Sequence, residues 1–140
     1  MKIEEIEREI VEEFSIYEDW MDKYAYLIEL GKELAPMDET HKTEDNLIRG
    51  CQSRVWFHAD YRDRLLYFSG DSDAIITKGL VALMLRVFSG HKPEDIVRSD
   101  ISFIDTIGLS THLSPTRSNG LLAMLKQIKY YGLAYSLKKE

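Results

Sequence analysis

Residues 47–69 read Leu-Ile-Arg-Gly-Cys-Gln-Ser-Arg-Val-Trp-Phe-His-Ala-Asp-Tyr-Arg-Asp-Arg-Leu-Leu-Tyr-Phe-Ser. Three short runs inside this stretch have strand character. Leu47-Ile48-Arg49 is the first, Val55-Trp56-Phe57-His58-Ala59 the second and Leu65-Leu66-Tyr67-Phe68-Ser69 the third. β-Branched and aromatic residues of this kind suit a pleated, half-buried surface. The charged residues 60–64 between the last two runs read as a hairpin turn. Neighbouring strands joined by short connections pair antiparallel. The segment therefore predicts a three-stranded antiparallel sheet.

Helical patterns flank that meander on both sides. Ile3, Ile6, Ile10 and Phe14 recur at helical steps, predicting a helix over residues 2–14. Trp20, Tyr24, Leu27, Ile28 and Leu34 predict another over residues 16–34, tolerant of Gly31 and ended by Pro36. Residues 37–46 are polar and read as a loop. After the meander, Gly70-Asp71-Ser72-Asp73 reads as a turn with good capping residues. Ile76, Leu80, Leu83, Met84 and Val87 then predict a helix over residues 74–88. Pro93-Glu94-Asp95 opens a short helix, with proline first and acids complementing the dipole. Residues 99–113 read as irregular. Ser114-Pro115 begins a long helical region, with Leu121, Leu122, Leu125, Ile128 and Leu133 as its expected buried side. Helices, a meander and more helices predict one α+β domain over residues 1–140, with the helices packed on one face of the sheet.

The 140 residues are 44% hydrophobic and 30% charged, which suits one globular core. Net charge is −6 and the first residues are acidic, so neither nucleic acid nor an anionic membrane is an expected partner. No apolar run is long enough for a spanning helix, and Met1-Lys2-Ile3-Glu4-Glu5 lacks the basic and apolar regions of a secretory signal, so a cytoplasmic location is expected. Cys51 is the single cysteine, which rules out an intramolecular disulfide and a thiolate-only metal cage. The chain contains no Gly-rich phosphate loop and no dinucleotide fingerprint, and no cofactor or metal is expected.

Chemistry therefore concentrates on one thiol. Gly50 before Cys51 permits backbone angles that other residues avoid, and Gln52 and Ser53 follow it, so the thiol is expected at the tip of a turn. Arg49 and Arg54 would favour the nucleophilic thiolate. A small buried hydrophobe is the alternative reading of a lone cysteine, and position alone leaves both open. His58 or His112 is the candidate base for a Cys–His pair. Ser114-Pro115-Thr116-Arg117-Ser118-Asn119-Gly120 puts small and polar residues at a helix start, where Arg117 and backbone amides suit an anion; ordinary capping is the plainer alternative. Asp73 and Lys78 are placed for a surface ion pair of little energetic weight.

Three stretches together resemble the SufE family of sulfur acceptors. The first is Arg49-Gly50-Cys51-Gln52-Ser53-Arg54-Val55-Trp56, similar to the family's GCQS-x-VW signature. The second is Gly70-Asp71-Ser72-Asp73-Ala74-Ile75-Ile76-Thr77-Lys78-Gly79-Leu80. The third is Gly108-Leu109 followed by His112-Leu113-Ser114-Pro115-Thr116-Arg117-Ser118-Asn119-Gly120-Leu121. The resemblance implies the α+β fold shared with IscU-type scaffolds. It implies that Cys51 accepts sulfane sulfur from a pyridoxal-phosphate cysteine desulfurase, SufS- or CsdA-like. It also implies that the chain stimulates that desulfurase and passes the sulfur to an iron–sulfur scaffold complex. The matched residues Gly50, Gln52, Ser53, Asp73, Lys78, His112 and Arg117 become expected loop or partner-binding residues. A persulfide must be hidden in transit and presented to a partner, so a loop that tucks in and swings out is expected. The competing readings are a non-catalytic scaffold or binding module, and a cysteine hydrolase using His58 or His112.

Overall fold

The computed structural model describes residues 2–138, apart from the side chain of Ser110. Its sheet is a hairpin of two strands, β1 (Val55–Arg62) and β2 (Leu65–Ser72), paired antiparallel with Val55 opposite Ser72 and Arg62 opposite Leu65. The third expected strand is not one. Leu47 makes a single antiparallel bridge to Trp56, and Ile48 N–H donates to the Val55 carbonyl at 2.8 Å. Gly50, at a φ of +95°, then turns the chain away, so the ladder cannot continue. The hairpin turn is also tighter than expected. Residues 60–62 stay in β1, and Asp63 and Arg64, at φ values of 52° and 67°, make the reversal alone. Two successive left-handed residues match the right-handed twist of the strands they join. Gly70 to Ser72 belong to β2 rather than to a turn. A side chain at Gly70 would lie 2.8 Å from Cδ1 of Phe57, so glycine lets that ring cover the strand.

The helices are α1 (Ile3–Ser15), α2 (Trp20–Lys32), α3 (Ile75–Phe88), α4 (Pro93–Arg98), α5 (Phe103–Thr106), α6 (Leu109–His112) and α7 (Pro115–Ser136). α2 starts later than its periodicity suggests, because Asp19 caps it, accepting the Asp22 N–H at 2.9 Å. The stretch expected to be irregular contains α5 and α6, each a single turn. Val55, Phe57, Leu66 and Phe68 share one sheet face and enter a common core with Leu80, Met84 and Val87 of α3 and Leu121, Leu125 and Ile128 of α7. Leu122 and Leu133 are half or more exposed, against expectation, while Met124 is buried. The buried stripe of α7 follows the helical step from Leu121 through Met124 and Leu125 to Ile128, and leucines off that step face outward.

Two closer contacts fix the frame. α2 and α3 cross with almost no side chain between them. A Cβ at Gly79 would overlap the Leu27 carbonyl oxygen and lie 2.8 Å from its carbon, and one at Gly31 would lie 2.9 Å from the Gly79 nitrogen. α1 is tied to α3 by Arg86, whose guanidinium donates to both carboxylate oxygens of Glu13 at 2.7 and 2.6 Å. Tyr26 of α2 donates to the same carboxylate.

Lys129 closes the end of α4, donating to the carbonyls of Ile96 at 2.7 Å and Ser99 at 2.6 Å. Beside it lies Glu7, only 8% exposed, with Oε2 buried and lacking a hydrogen-bond partner among the described residues. Burial, reinforced by the negative charges of Asp100 and Glu4 and opposed by Lys129, pushes the Glu7 carboxyl up to about 7.

Gly79→Ala is expected to destabilise the fold by about 2–3 kcal/mol in urea denaturation, because the methyl meets backbone that cannot rotate away. Glu7 supplies a pH dependence. Between its unfolded pKa and its folded value near 7, the folded chain holds a proton that the unfolded chain has released. Stability therefore falls as pH rises through that window. Glu7→Gln removes the ionisation, so its advantage over wild type should be larger at pH 8 than at pH 5, reaching about 1–3 kcal/mol. Equal advantages at both pH values would mean that Glu7 ionises normally.

Candidate functional site

The loop of residues 49–54 carries Cys51 and is tied at both ends. At the leading end are the Leu47–Trp56 bridge and the Ile48–Val55 hydrogen bond. At the trailing end Asp73 grips the Arg54 backbone twice: its Oδ1 accepts the Arg54 N–H at 3.0 Å, and its own N–H donates to the Arg54 carbonyl at 3.2 Å. The capping role expected of Asp73 is thereby given up. The N-cap of α3 is Ala74, whose N–H is taken by Ser72 Oγ at 3.2 Å. The expected ion pair with Lys78 does not form either. Lys78 Nζ lies 3.4 Å from Asp71, which also holds Lys42 at 2.8 Å.

Between its tethers the loop lies over a cleft of about 530 Å³. The walls are Cys51, Gln52 and Ser53, the first turn of α3 from Ala74 to Thr77, Ile28 of α2, and the start of α7 with Arg117 and Gly120. The Cys51 thiol is half-buried and points at α7, where Sγ–H donates to the Gly120 carbonyl at 3.7 Å. Burial pushes the thiol up from its ordinary pKa. The expected acidifying effect of Arg49 and Arg54 does not prevail. Arg117 reaches the same cleft from an exposed position on the first turn of α7, whose cap is Ser114 Oγ accepting the Arg117 N–H at 3.4 Å. Cys51, Gln52, Ser53 and Arg117 thus line one cleft, and Gly50 and Asp73 belong to the loop's ends rather than to the cleft wall. Lys78 and His112 are not in the cleft wall.

Neither candidate base serves the thiol. His112 stacks on Trp20 with ring centroids 4.2 Å apart and 11° between planes. Its Nδ1 lies 3.0 Å from both the Gly108 carbonyl oxygen and Thr111 Oγ1. Tyr24 donates to the His112 carbonyl. These contacts lock the α6–α7 corner. His58 stacks on His41 on the outer sheet face, with centroids 3.7 Å apart, and burial with the neighbouring imidazole pushes its pKa down. No histidine lines the Cys51 cleft. The described residues also contain no group of three or more His, Cys, Asp or Glu side chains arranged to hold a metal ion.

Sequence reasoning missed Ile28 and Ile75 in the cleft wall. Ile75 is 68% exposed, an unusual position for isoleucine at the rim of a cleft. Its place inside the Gly70–Leu80 stretch was the available signal.

The family model of the SufE Fe–S metabolism associated domain matches residues 8–131, most of the chain and all of the cleft. The chain belongs to the SufE family. An uncharacterized SufE-like protein of Rhizobium meliloti (strain 1021) is 45% identical over 126 residues, covering 86% of this chain and 90% of the relative. The solution structure of a hypothetical protein from Thermus thermophilus superposes with a TM-score of 0.78 over 95% of this chain and 97% of its own. At 19% identity that likeness concerns the fold alone. SufE membership places the chain in iron–sulfur metabolism. Among the described residues, no helix is long and apolar enough to cross a membrane.

The burial of Cys51 has a measurable consequence. Alkylation of the free folded protein by iodoacetamide should titrate with a midpoint above the ~8.5 of an ordinary thiol and return to that value in urea. The folded chain keeps the thiol proton at pH values where the unfolded chain loses it, so stability should fall as pH rises through that window. A folded-state midpoint below the urea value would show that cationic neighbours, not burial, control Cys51.

Proposed function

We propose that this protein is a sulfur carrier. Cys51 takes sulfane sulfur from the persulfide of a pyridoxal-phosphate cysteine desulfurase, stimulates that enzyme by relieving it of product, and delivers the sulfur to an iron–sulfur scaffold complex. The observation that carries this reading is the placement of the chain's single thiol. Cys51 sits half-buried on a loop tied at its two ends over a cleft, in a chain of the SufE family.

The chemistry asks little of the carrier. The Cys51 thiolate attacks the outer sulfur of the donor persulfide. A new S–S bond forms on Cys51 as the donor's S–S bond breaks, and the donor sulfur leaves as a thiolate. Oxidation level is conserved, so neither a redox partner nor a cofactor on this chain is required. The thiol proton must leave before attack. With no histidine in the cleft, it leaves to solvent or to the partner once the loop extends. The partner's surface favours the extended loop by binding it better than the retracted one.

The remaining residues take supporting roles. Gly50 provides the hinge, at a φ no side-chain residue adopts readily. Asp73 anchors the trailing end, so extension is confined to residues 49–53. Gln52 and Ser53 present polar groups around the sulfur. Arg117, exposed at the cleft, faces the negative charge that the thiolate or persulfide brings. Lys78 and His112 act at one remove, through Asp71 and through the corner that sets the start of α7. A cluster scaffold is less well supported, because Cys51 is the only thiol and it is directed at a helix carbonyl.

Incubation with a cysteine desulfurase and cysteine should add the mass of sulfur to the wild-type chain and none to Cys51→Ser, which should keep its fold. Arg117→Ala should slow loading by about tenfold, the factor of one charge-assisted hydrogen bond, with little change in thermal stability. Sulfur accumulating on the serine variant at the wild-type rate would sink the carrier reading.

A further inference from the structure

α7 departs from the pattern of a surface helix. Leu121, Met124, Leu125 and Ile128 fill its buried side. Between Leu121 and Ser136 its exposed positions are Leu122, Lys126, Tyr130 and Leu133, and three of these four are large and apolar. Leu122 is 57% exposed, Tyr130 62% and Leu133 50%, and Leu137, just past the helix end, is 73% exposed. At about 100° per residue these five positions fall within roughly 80° of helix surface, nearly opposite the buried side. A helix that is apolar all round is ordinarily covered all round, and a continuous apolar stripe marks an interface where scattered single residues do not. The two ends of the stripe differ in charge. Leu122 borders a hollow of about 360 Å³ whose wall includes the exposed Asp100, Ile101 and Asp105. At the other end Leu137 is followed by the exposed Lys138. In the middle, Lys126 shares a second hollow with Glu44, Asp45 and Arg49, where the charges balance.

We propose that the outer stripe of α7 is the contact surface of a two-fold dimer of this chain, in which the α7 helices of two copies pack antiparallel. The stripe is its own complement. A two-fold axis between positions 129 and 130 sets Leu122 of one copy against Leu137 of the other, and by the same register Lys126 against Leu133. The Lys126 stem then covers Leu133 while its amine stays in water. Tyr130, beside the axis, meets its own counterpart. Charge selects the orientation. Antiparallel packing brings Lys138 of each copy to the hollow of the other that holds Asp100 and Asp105. Parallel packing would set acidic end against acidic end. A closed two-fold contact also uses the whole stripe in both copies, leaving none of it to recruit a third. From α7 the Cys51 cleft is lined by Thr116, Arg117 and Gly120, roughly a third of a turn around the helix from the stripe. The pairing therefore covers a different face from the one that carries the thiol, and it does not depend on the carrier reading.

Sedimentation velocity of the full chain, run from micromolar to near-millimolar concentration, is expected to show the mass rising from one chain toward two, because a single pair of helices makes a contact of modest size. Leu122→Gln and Leu133→Gln replace exposed side chains with a good helix former, so each variant should keep the wild-type circular dichroism. Each is expected to weaken dimerisation by about tenfold or more, the factor of a leucine side chain no longer buried. Ile16→Gln and Met21→Gln remove apolar side chains that are more exposed still but lie outside α7, and they should leave the dimerisation constant as in wild type. A charge exchange reads the register. Leu122→Glu and Leu137→Lys should each weaken the dimer, and the two together in one chain should recover it, since antiparallel helices set those positions against each other. A chain that stays monomeric throughout the range overturns the proposal, as does a dimer that the two α7 glutamine variants leave intact or that Ile16→Gln or Met21→Gln weakens equally. Failure of the charge exchange to recover a dimer that both single changes weaken overturns the antiparallel pairing.

Discussion

The backbone contact between α2 and α3 sets the geometry on which the cleft depends. Leu27 and Gly79 touch main chain to main chain, and Gly31 and Gly79 leave no room for a side chain between the helices. That crossing places Ile28, the neighbour of Leu27, in the cleft wall beside the first turn of α3. The same α3 packs against β2, α1 and α7, so it carries the position of the hairpin to the helix on the far side of the cleft. A helix pair separated by larger side chains would move the cleft floor by ångströms, and the half-buried state of Cys51 would go with it.

Half-burial is a compromise with a chemical reason. A fully buried thiol holds its proton and cannot meet another protein's sulfur. A fully exposed one meets every small thiol and oxidant in solution. The tethers at Leu47–Trp56 and Asp73–Arg54 resolve this by leaving the covered region short. In the proposed carrier reading only residues 49–53 have to move, and what holds them is one weak S–H donor and the apolar wall. A hydrogen bond contributes about 1 kcal/mol net, so a partner's surface can reverse the preference without unfolding anything else.

Most of the architecture was legible in the sequence where one periodicity had a single interpretation. α1 and α3 follow from their apolar spacing, the start of α7 from its Ser114-Pro115 pair, and the β1–β2 pairing from two β-rich runs. The third strand failed because three apolar-flanked residues carry no information about where Gly50 will turn the chain. Leu122 and Leu133 failed because composition marks a residue as apolar, and only its angle around the helix decides whether it is buried. At the site, Gly50, Cys51, Gln52, Ser53 and Arg117 were readable from motif and residue type. The partners of Asp73 and Lys78 were not, since sequence spacing does not say which of two nearby aspartates a lysine meets and which one ties the loop. The pKa direction of Cys51 depended on burial, which no local count of arginines reveals.

The histidines give the last step. A cysteine hydrolase needs an imidazole against its sulfur, and this chain has four histidines from which to supply one. His58 and His41 stack on each other across the outer sheet face, and His112 is held between Trp20 and the Gly108 carbonyl. His91 is joined through its backbone to Leu66, and burial pushes its imidazole pKa down. The imidazoles of His41, His58 and His112 are engaged elsewhere in the packing, and no histidine lines the Cys51 cleft. A thiol left without a base is inert until it is moved or until a base is brought to it. In the proposed reading that inertness is useful, because it confines the reaction of Cys51 to the moment when a partner draws the loop out and supplies the rest of the active site.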